Sequence, residues 1–330
     1  MTFKIGIIGC SRVAKNKFIP AVNSLDSISI DSVGSRSISK AEEWAKEIDC
    51  DNYGNYEDVI SSDIDCVYIS LPDGLHEEWS IKAAKAGLHV LCEKTSTTSY
   101  ESAKKIVDVC RSNNIRILEC FSFRFHPQHN TEIELIKKNK IGDIKNFTGN
   151  FGYPKPNNEN IRLRKELGGG ILNDACCYPI CASRMIFQEE PIGVMSNLTI
   201  DPILGVDVSS SVFLHYNKKN AIAESGFDRN FKSNYEIWGS KGNIILNRAY
   251  AVPSNFETKI KLEKDDENEI IKNIPVDQTA IMIKTFYEEI MKINKSDFNF
   301  EVELLSQAKV MEAVRISNEK NEFIKLEEIN

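Results

Sequence analysis

Residues 3–14 read FKIGIIGCSRVA, an apolar run that stops on a glycine and goes on in small and polar residues. The run FKIGIIG has the unbroken apolar character of a strand buried on both faces, as strands of a parallel sheet are. Beyond it, Gly9, Ser11 and Ala14 fill the small-residue positions of a G-x-G-x-x-A loop. In such a loop the bare backbone and a helix N-terminus approach a pyrophosphate. Ser11 stands where the middle glycine is usual. A tight strand–helix turn without a ligand explains the same residues, so the loop counts as a cofactor site only if more strand–helix units follow.

They do follow. Apolar runs recur at ISIDSVG, DCVYISL, LHVLCE and IRILECF, with helical patterns between them. Ser39 with Glu42 and Thr98 with Glu101 read as capping boxes, and Gly87 reads as a helix stop. This alternation predicts a doubly wound parallel sheet with right-handed crossovers. Past Phe125 the texture changes to a short helix, PQHNTEIELIKK, a strand-like IKNFTGNFGY and a glycine-rich segment. Alternating stretches such as VSSSVFLHY, AIAESGF and GNIILNRAY then predict an open antiparallel sheet. Amphipathic helices near Ala280–Lys292 and Val302–Asn318 close the chain, and EKDDENE reads as a solvated turn. The expected organisation is α/β. A dinucleotide-binding Rossmann domain spans 1–122, and an α+β domain with a large antiparallel sheet, for substrate binding and oligomerisation, spans 123–330.

The chain has 330 residues, with 41 basic against 48 acidic side chains and a net charge of −7. No long basic run is present, so no nucleic-acid partner is expected. The opening apolar run is too short and too early for a signal peptide or a membrane span. Nine cysteines all precede Met185 without a CxxC pair, and Cys66, Cys92 and Cys120 sit inside apolar runs. They read as packed thiols of a cytoplasmic protein, with neither disulfides nor a bound metal.

The end of the second strand distinguishes the dinucleotides. A free ribose 2′-hydroxyl calls for an acid there, whereas this chain has Ser35, Arg36 and Ser37, which suit a 2′-phosphate. NADP is therefore expected in preference to NAD, although GSRS also reads as a polar loop leading to the Ser39 cap. Open α/β sheets bind ligands outside the carboxyl ends of their strands. The candidate cofactor set is accordingly Gly9, Cys10, Ser11, Arg12 and Val13, then Ser35, Arg36 and Ser37, with Leu71, Pro72, His76, Glu93 and Lys94 from the next two strand ends. His76 reads equally as a residue that orients its loop.

The segments GIIGCSRVA, VYISLPDGLH, AGLHVLCEK, FSFRFHPQ, LGGGILNDACCYPI and GSKGNI occur in one order along the chain. In this the chain resembles the Gfo/Idh/MocA oxidoreductases. FRFHPQ and Tyr178 are most similar to the branch holding sugar dehydrogenases, dihydrodiol dehydrogenases and nucleotide-ketosugar reductases; the inositol branch typically has histidine at that position. The resemblance implies that the turn GGGILNDACCYP, residues 168–179, leads a helix across an interdomain cleft. Asp174 and Tyr178, four apart on one face, would then meet substrate and nicotinamide, and Lys94 would approach from the other domain. It implies a proton-carrying Tyr178 and a Lys94 ammonium that lowers the phenol from its ordinary value of about 10. Asp174 would hold the lysine or the sugar hydroxyls. Arg124 and His126 would line the cleft, and Arg162 and Arg164 are candidates for a substrate phosphate or a salt bridge. Two departures stand out: Ser11, and Thr95 in place of the proline that commonly follows the lysine. The implied activity is NADP-linked reduction or oxidation at one carbon of a sugar, nucleotide-linked in the leading case. The alternatives are a free-sugar or trans-dihydrodiol dehydrogenase and a non-catalytic cofactor sensor. A homodimer or homotetramer is expected through the C-terminal sheet, whose open face is too large to leave wet.

Overall fold

The computed structural model describes residues 2–264 and 267–330. Two compact units are present, Met1–Phe121 with Thr279–Leu305, and Ser122–Gln278 with Ser306–Asn330. The segment 279–305, read from the sequence with the second domain, thus groups with the first. Its aromatic and acidic side chains explain this: Tyr287 packs edge-on to Phe3, Phe286 meets His89, and Glu289 and Glu301 both pair with Arg116.

In the first unit, strands β1 (Phe3–Ile8), β2 (Ile28–Gly34), β3 (Asn52–Gly54), β4 (Cys66–Ile69), β5 (His89–Cys92) and β6 (Ile117–Glu119) form one sheet. Its order is β3-β2-β1-β4-β5-β6 and every pair is parallel. The strand order reverses between β1 and β4, the switch point at which such sheets bind dinucleotides. Five of the six strands show in the sequence as apolar runs. β3 does not, because it is a three-residue edge strand with two exposed positions. The helices between strands are α1 (Ile19–Asn23), α2 (Ile38–Glu47), α3 (Tyr56–Ile60), α4 (His76–Lys85) and α5 (Tyr100–Ser112).

Two expected caps move by one or two residues. Ser37, not Ser39, caps α2 by accepting from the Lys40 amide, and Ser99, not Thr98, caps α5 by accepting from the Ser102 amide. Both capping serines have the extended backbone that an N-cap requires, and in hydroxyl-rich stretches that conformation decides between neighbours. Gly87, at φ +86°, stops α4 as expected.

The second unit is built on β7 (Ile144–Gly152), β8 (Gly193–Ile200), β9 (Asp207–Tyr216), β10 (Lys219–Gly226), β11 (Lys232–Gly239), β12 (Asn243–Leu246), β13 (Thr258–Lys264), β14 (Glu267–Asn273) and β15 (Ile324–Lys325). They form a sheet in the order β14-β13-β12-β11-β7-β10-β9-β8-β15. It is antiparallel throughout except where β7 runs parallel to β10. A parallel neighbour needs a crossover rather than a hairpin, and the glycine segment lies within that connection. Helices α6 (Pro127–Lys137), α7 (Cys177–Phe187), α8 (Gln278–Ile290) and α9 (Phe300–Lys320) complete the chain. Along β9, Val212, Leu214 and Tyr216 are buried while Ser211 and Phe213 face out, which is the expected alternation. The tip of EKDDENE, Asp265–Asp266, lies outside the described residues. All nine cysteines are thiols and eight are buried. Among the described residues no helix is long and apolar enough to cross a membrane, and no side-chain group is arranged to hold a metal.

Beneath the second sheet lies a polar core. His129 Nδ1 is 2.7 Å from the Tyr235 hydroxyl, which donates to the buried Glu132 carboxyl. Burial pushes the Glu132 carboxyl well up, and lowers His126 to about 4 and His129 to about 3. The unfolded chain, with imidazoles near 6.5, takes up protons first as the pH falls. The contribution of the two histidines is therefore intact above pH about 6.5 and is lost progressively towards pH about 4. Glu132 acts in the opposite sense, its contribution being intact below about 4.5 and falling as the pH rises. Urea unfolding of His129→Gln should accordingly lose less stability between pH 7 and pH 5 than the parent protein loses. Equal losses would mean that His129 is charged in the folded state.

Candidate functional site

Each unit carries its own group of candidate residues. In the first, β1 is followed by Gly9, whose φ of +103° and close neighbours exclude a side chain: a Cβ there would lie 2.8 Å from Leu71 Cδ2 and 3.0 Å from the Ser70 carbonyl oxygen. The backbone is left bare where a pyrophosphate would approach. Ser11 has a local use, because its hydroxyl accepts from the Ala14 amide at 3.1 Å and so caps the helical turn that opens at Arg12 and runs through a π turn, Ala14–Phe18, into α1. Cys10 and Val13 are half-buried and Arg12 is exposed.

At the end of β2, the three residues expected to surround a 2′-phosphate separate. Ser35 is buried and accepts from the Ser37 amide at 3.3 Å, and Ser37 is occupied in capping α2. Arg36 is exposed. A cation missed in the sequence joins it: Lys40, in the first turn of α2, donates from Nζ to the Cys10 carbonyl at 2.9 Å. Nothing in the sequence marks Lys40 except its place one turn beyond Arg36. With a bare glycine turn, two cations and no acid in Gly34–Ser37, these residues fit a phosphorylated dinucleotide.

The next two strand ends interlock. His76 is fully buried, with Nδ1 2.8 Å from the Thr95 carbonyl and Nε2 2.9 Å from the Leu71 carbonyl. A carbonyl only accepts, so both ring nitrogens donate and the ring is an imidazolium. Burial alone would lower this imidazole, but Cys92, Asp73 and the Thr95 carbonyl outweigh it and raise it to about 10. His76 thus ties the two loops together, with both ring nitrogens taken up by backbone carbonyls. Leu71 is buried and Pro72 half-buried in the same turn. Glu93 accepts from the Tyr68 hydroxyl at 2.6 Å, and Lys94 beside it is half-buried. The Lys94–Thr95 peptide is cis.

In the second unit, the glycine turn explains its own composition. Gly170 has a φ of +125°, and the Asp207 carboxylate occupies the place its Cβ would take. That carboxylate accepts from the Leu172 amide at 2.5 Å and so anchors the start of the following turn. The helix that follows the glycines opens as a widened π turn, Leu172–Cys176, leading into α7. Asp174 lies on this turn. Arg162 Nε pairs with Asp174 Oδ2 at 2.9 Å, and the Tyr153 hydroxyl donates to the same oxygen. The half-buried Tyr178 packs against Phe151, Phe123 and Tyr250, with ring centroids 5.1 to 5.6 Å away. The Arg162 guanidinium is raised, chiefly by Asp174, with Tyr153 and Tyr178 also contributing. The sequence offered Arg162 as a phosphate contact or a salt bridge; here it makes a salt bridge to Asp174, and its charge acts on both phenols. Tyr153 was missed, since a single tyrosine after a strand carries no pattern.

The two residues expected to line the cleft have local partners. His126 is buried and caps α6, its Nδ1 accepting from the Gln128 amide at 3.2 Å. The following Pro127, at the first helical position, carried that signal. Arg124 is half-buried, with Nη1 3.9 Å from Cys181 Sγ. Arg164 is exposed.

Comparison with known proteins identifies the family. Residues 3–120 match the model of the Gfo/Idh/MocA oxidoreductase family, NAD-binding Rossmann fold, and residues 130–245 match a Gfo/Idh/MocA C-terminal domain. The chain is 33% identical over 291 residues to a dTDP-3,4-didehydro-2,6-dideoxy-alpha-D-glucose 3-reductase of Saccharopolyspora spinosa, covering 87% of each chain. It is 32% identical over 264 residues to a D-xylose 1-dehydrogenase (NADP(+)) of Haloferax volcanii, covering 79% of this chain and 80% of that one. Its structure superposes with a TM-score of 0.92 on a 3-ketoreductase from Actinomadura kijaniata in complex with NADP and TDP-benzene, at 28% identity over 96% of this chain and 98% of that one. The chain belongs to the Gfo/Idh/MocA family of oxidoreductases.

Proposed function

We propose that the protein is an NADP-dependent ketoreductase acting on a keto carbon of a nucleotide-linked sugar. One observation carries this most directly. Tyr178 follows the glycine turn beside a guanidinium that Asp174 and Tyr153 hold in place. Reduction of a carbonyl leaves an alkoxide-like oxygen that needs a proton and a nearby positive charge. Hydride comes from the reduced nicotinamide when the cofactor is bound. The Tyr178 hydroxyl is the proton donor, and a fixed cation nearby favours its phenolate once the proton has left. Lys94 adds the charge that steadies the developing oxyanion. Asp174, already paired with Arg162, keeps the guanidinium oriented and offers its remaining oxygen to sugar hydroxyls. The Gly9 turn and the Ser11-capped helix would hold the pyrophosphate, with Arg36 and Lys40 on the 2′-phosphate. The 3-reductase and 3-ketoreductase relatives support the nucleotide-linked substrate. The xylose dehydrogenase relative supports the runner-up, a free-sugar dehydrogenase.

We place the protein in the cytoplasm, since nine thiols without a bridge suit a reducing compartment. We also propose a homo-oligomer joined through the outer face of the second sheet. Met195, Phe213 and Ile222 lie side by side across β8, β9 and β10, and Phe213 and Ile222 are exposed, as is Trp238 on β11. Light scattering reads this directly, and a monomer at micromolar concentration would remove it.

A panel of keto-sugars with both cofactors tests the activity. Arg36→Ala should weaken NADPH binding and leave NADH little changed; equal losses would sink the 2′-phosphate assignment. Tyr178→Phe and Lys94→Ala should each lower kcat by roughly 10²-fold, the scale of a positioned acid–base group. NADPH affinity should survive Tyr178→Phe. Near-normal kcat in Tyr178→Phe would mean that the proton comes from another group. Tight NADPH binding with no turnover of any keto-sugar would favour a cofactor sensor.

A further inference from the structure

Lys94 stands in a segment held from several directions. Before it, Glu93 accepts from the Tyr68 hydroxyl of β4 at 2.6 Å. After it, the Thr95 hydroxyl donates to Asp73 Oδ2 at 2.9 Å, and the Thr95 carbonyl accepts from His76 at 2.8 Å. One residue further, the Ser96 amide donates to Glu119 Oε1 at 2.8 Å, at the end of β6. Thr95 and Ser96 are buried. The groups that hold the segment therefore come from both neighbouring strand ends and from the turn that follows β4.

We propose that the Thr95–Asp73 hydrogen bond, with His76 beneath it, is a positioning device that aims the Lys94 ammonium. The proposal rests on Lys94 acting at the substrate oxygen. A lysine stem has four flexible carbons, so its ammonium is placed only as well as its backbone is. A proline at position 95 would fix that backbone through its ring. Threonine has no ring, and here its hydroxyl does the fixing through a bond to a carboxylate, among the stronger kinds of side-chain hydrogen bond. Asp73 and Thr95 form the pair from two loops at adjacent strand ends, so the bond also sets the spacing of those loops. Displacement of a reacting group by about 1 Å costs up to about 10²-fold in rate. The pair thus acts on kcat through Lys94 and not by touching the substrate.

Three variants separate this role from general loop stability. Thr95→Val keeps the shape and removes the donor, Thr95→Ser keeps the donor, and Asp73→Ala removes the acceptor. Thr95→Val should lower kcat about 10-fold or more, with the NADPH Kd and the ketosugar KM of the folded variant within about two-fold. Thr95→Ser should return most of the lost kcat. The double variant Thr95→Val with Asp73→Ala should be little worse than the worse single, since the two residues act as a unit. If Thr95→Val does not fold, Asp73→Ala carries the same expectation for kcat, KM and NADPH Kd. Parental kcat in the folded variant would overturn the proposal, as would an NADPH affinity that falls in step with kcat, which would make the pair part of the cofactor pocket. Lys94→Ala distinguishes the two levels. If Lys94→Ala keeps kcat, the underlying role of Lys94 fails; if it loses kcat while Thr95→Val does not, only the positioning role fails.

Discussion

A buried imidazolium organises the carboxyl edge of the parallel sheet. His76 spans from the Leu71 carbonyl to the Thr95 carbonyl, tying the loop after β4 to the loop after β5. An imidazole that lost its second proton would face one of those carbonyls with a lone pair. A side chain without ring nitrogens would leave both carbonyls unsatisfied, and each such loss costs about 1–3 kcal/mol in a buried site. The Asp73 carboxylate and the Thr95 carbonyl favour that charge. Thr95, the residue that His76 holds, directly follows Lys94.

The second unit solves a similar problem with a carboxylate. Asp207 fits against Gly170 only because that glycine has no Cβ, and in that place it holds the Leu172 amide. The π turn that follows carries Asp174, and Asp174 in turn fixes Arg162 and Tyr153. Gly170 is therefore a condition for the turn that carries this compact polar cluster. Its aromatic surround of Phe123, Phe151 and Tyr250 limits how far the phenol ring can swing. On the proposed reading, a phenol confined in this way needs little reorganisation to give up its proton.

The parallel sheet was legible because strands buried on both faces leave unbroken apolar runs, and β3 was not because an exposed edge strand leaves none. Caps were legible to within two residues: the hydroxyls were visible, but the backbone conformation that selects one of them was not. Asp174 and Tyr178 stood out through their spacing and the resemblance that framed them. Lys40 and Tyr153 did not, because their importance comes from tertiary approach, a lysine reaching the Cys10 carbonyl and a tyrosine reaching Asp174. His126 was assigned to the cleft from its position in a family segment, while the proline after it already marked a helix cap. Thr95 and Ser11 looked like losses, yet each has a partner, Asp73 and the Ala14 amide.

The direct test of ketosugar reduction is to follow the hydride itself. The protein is incubated with a dTDP-linked 3-ketosugar and NADPH carrying deuterium at both C4 positions of the nicotinamide, and the nucleotide sugar is analysed by mass spectrometry. The expected product carries a single deuterium on the new carbinol carbon. Recovery of unchanged ketosugar while NADPH is bound, or a reduced product without the label, would contradict hydride transfer by this protein.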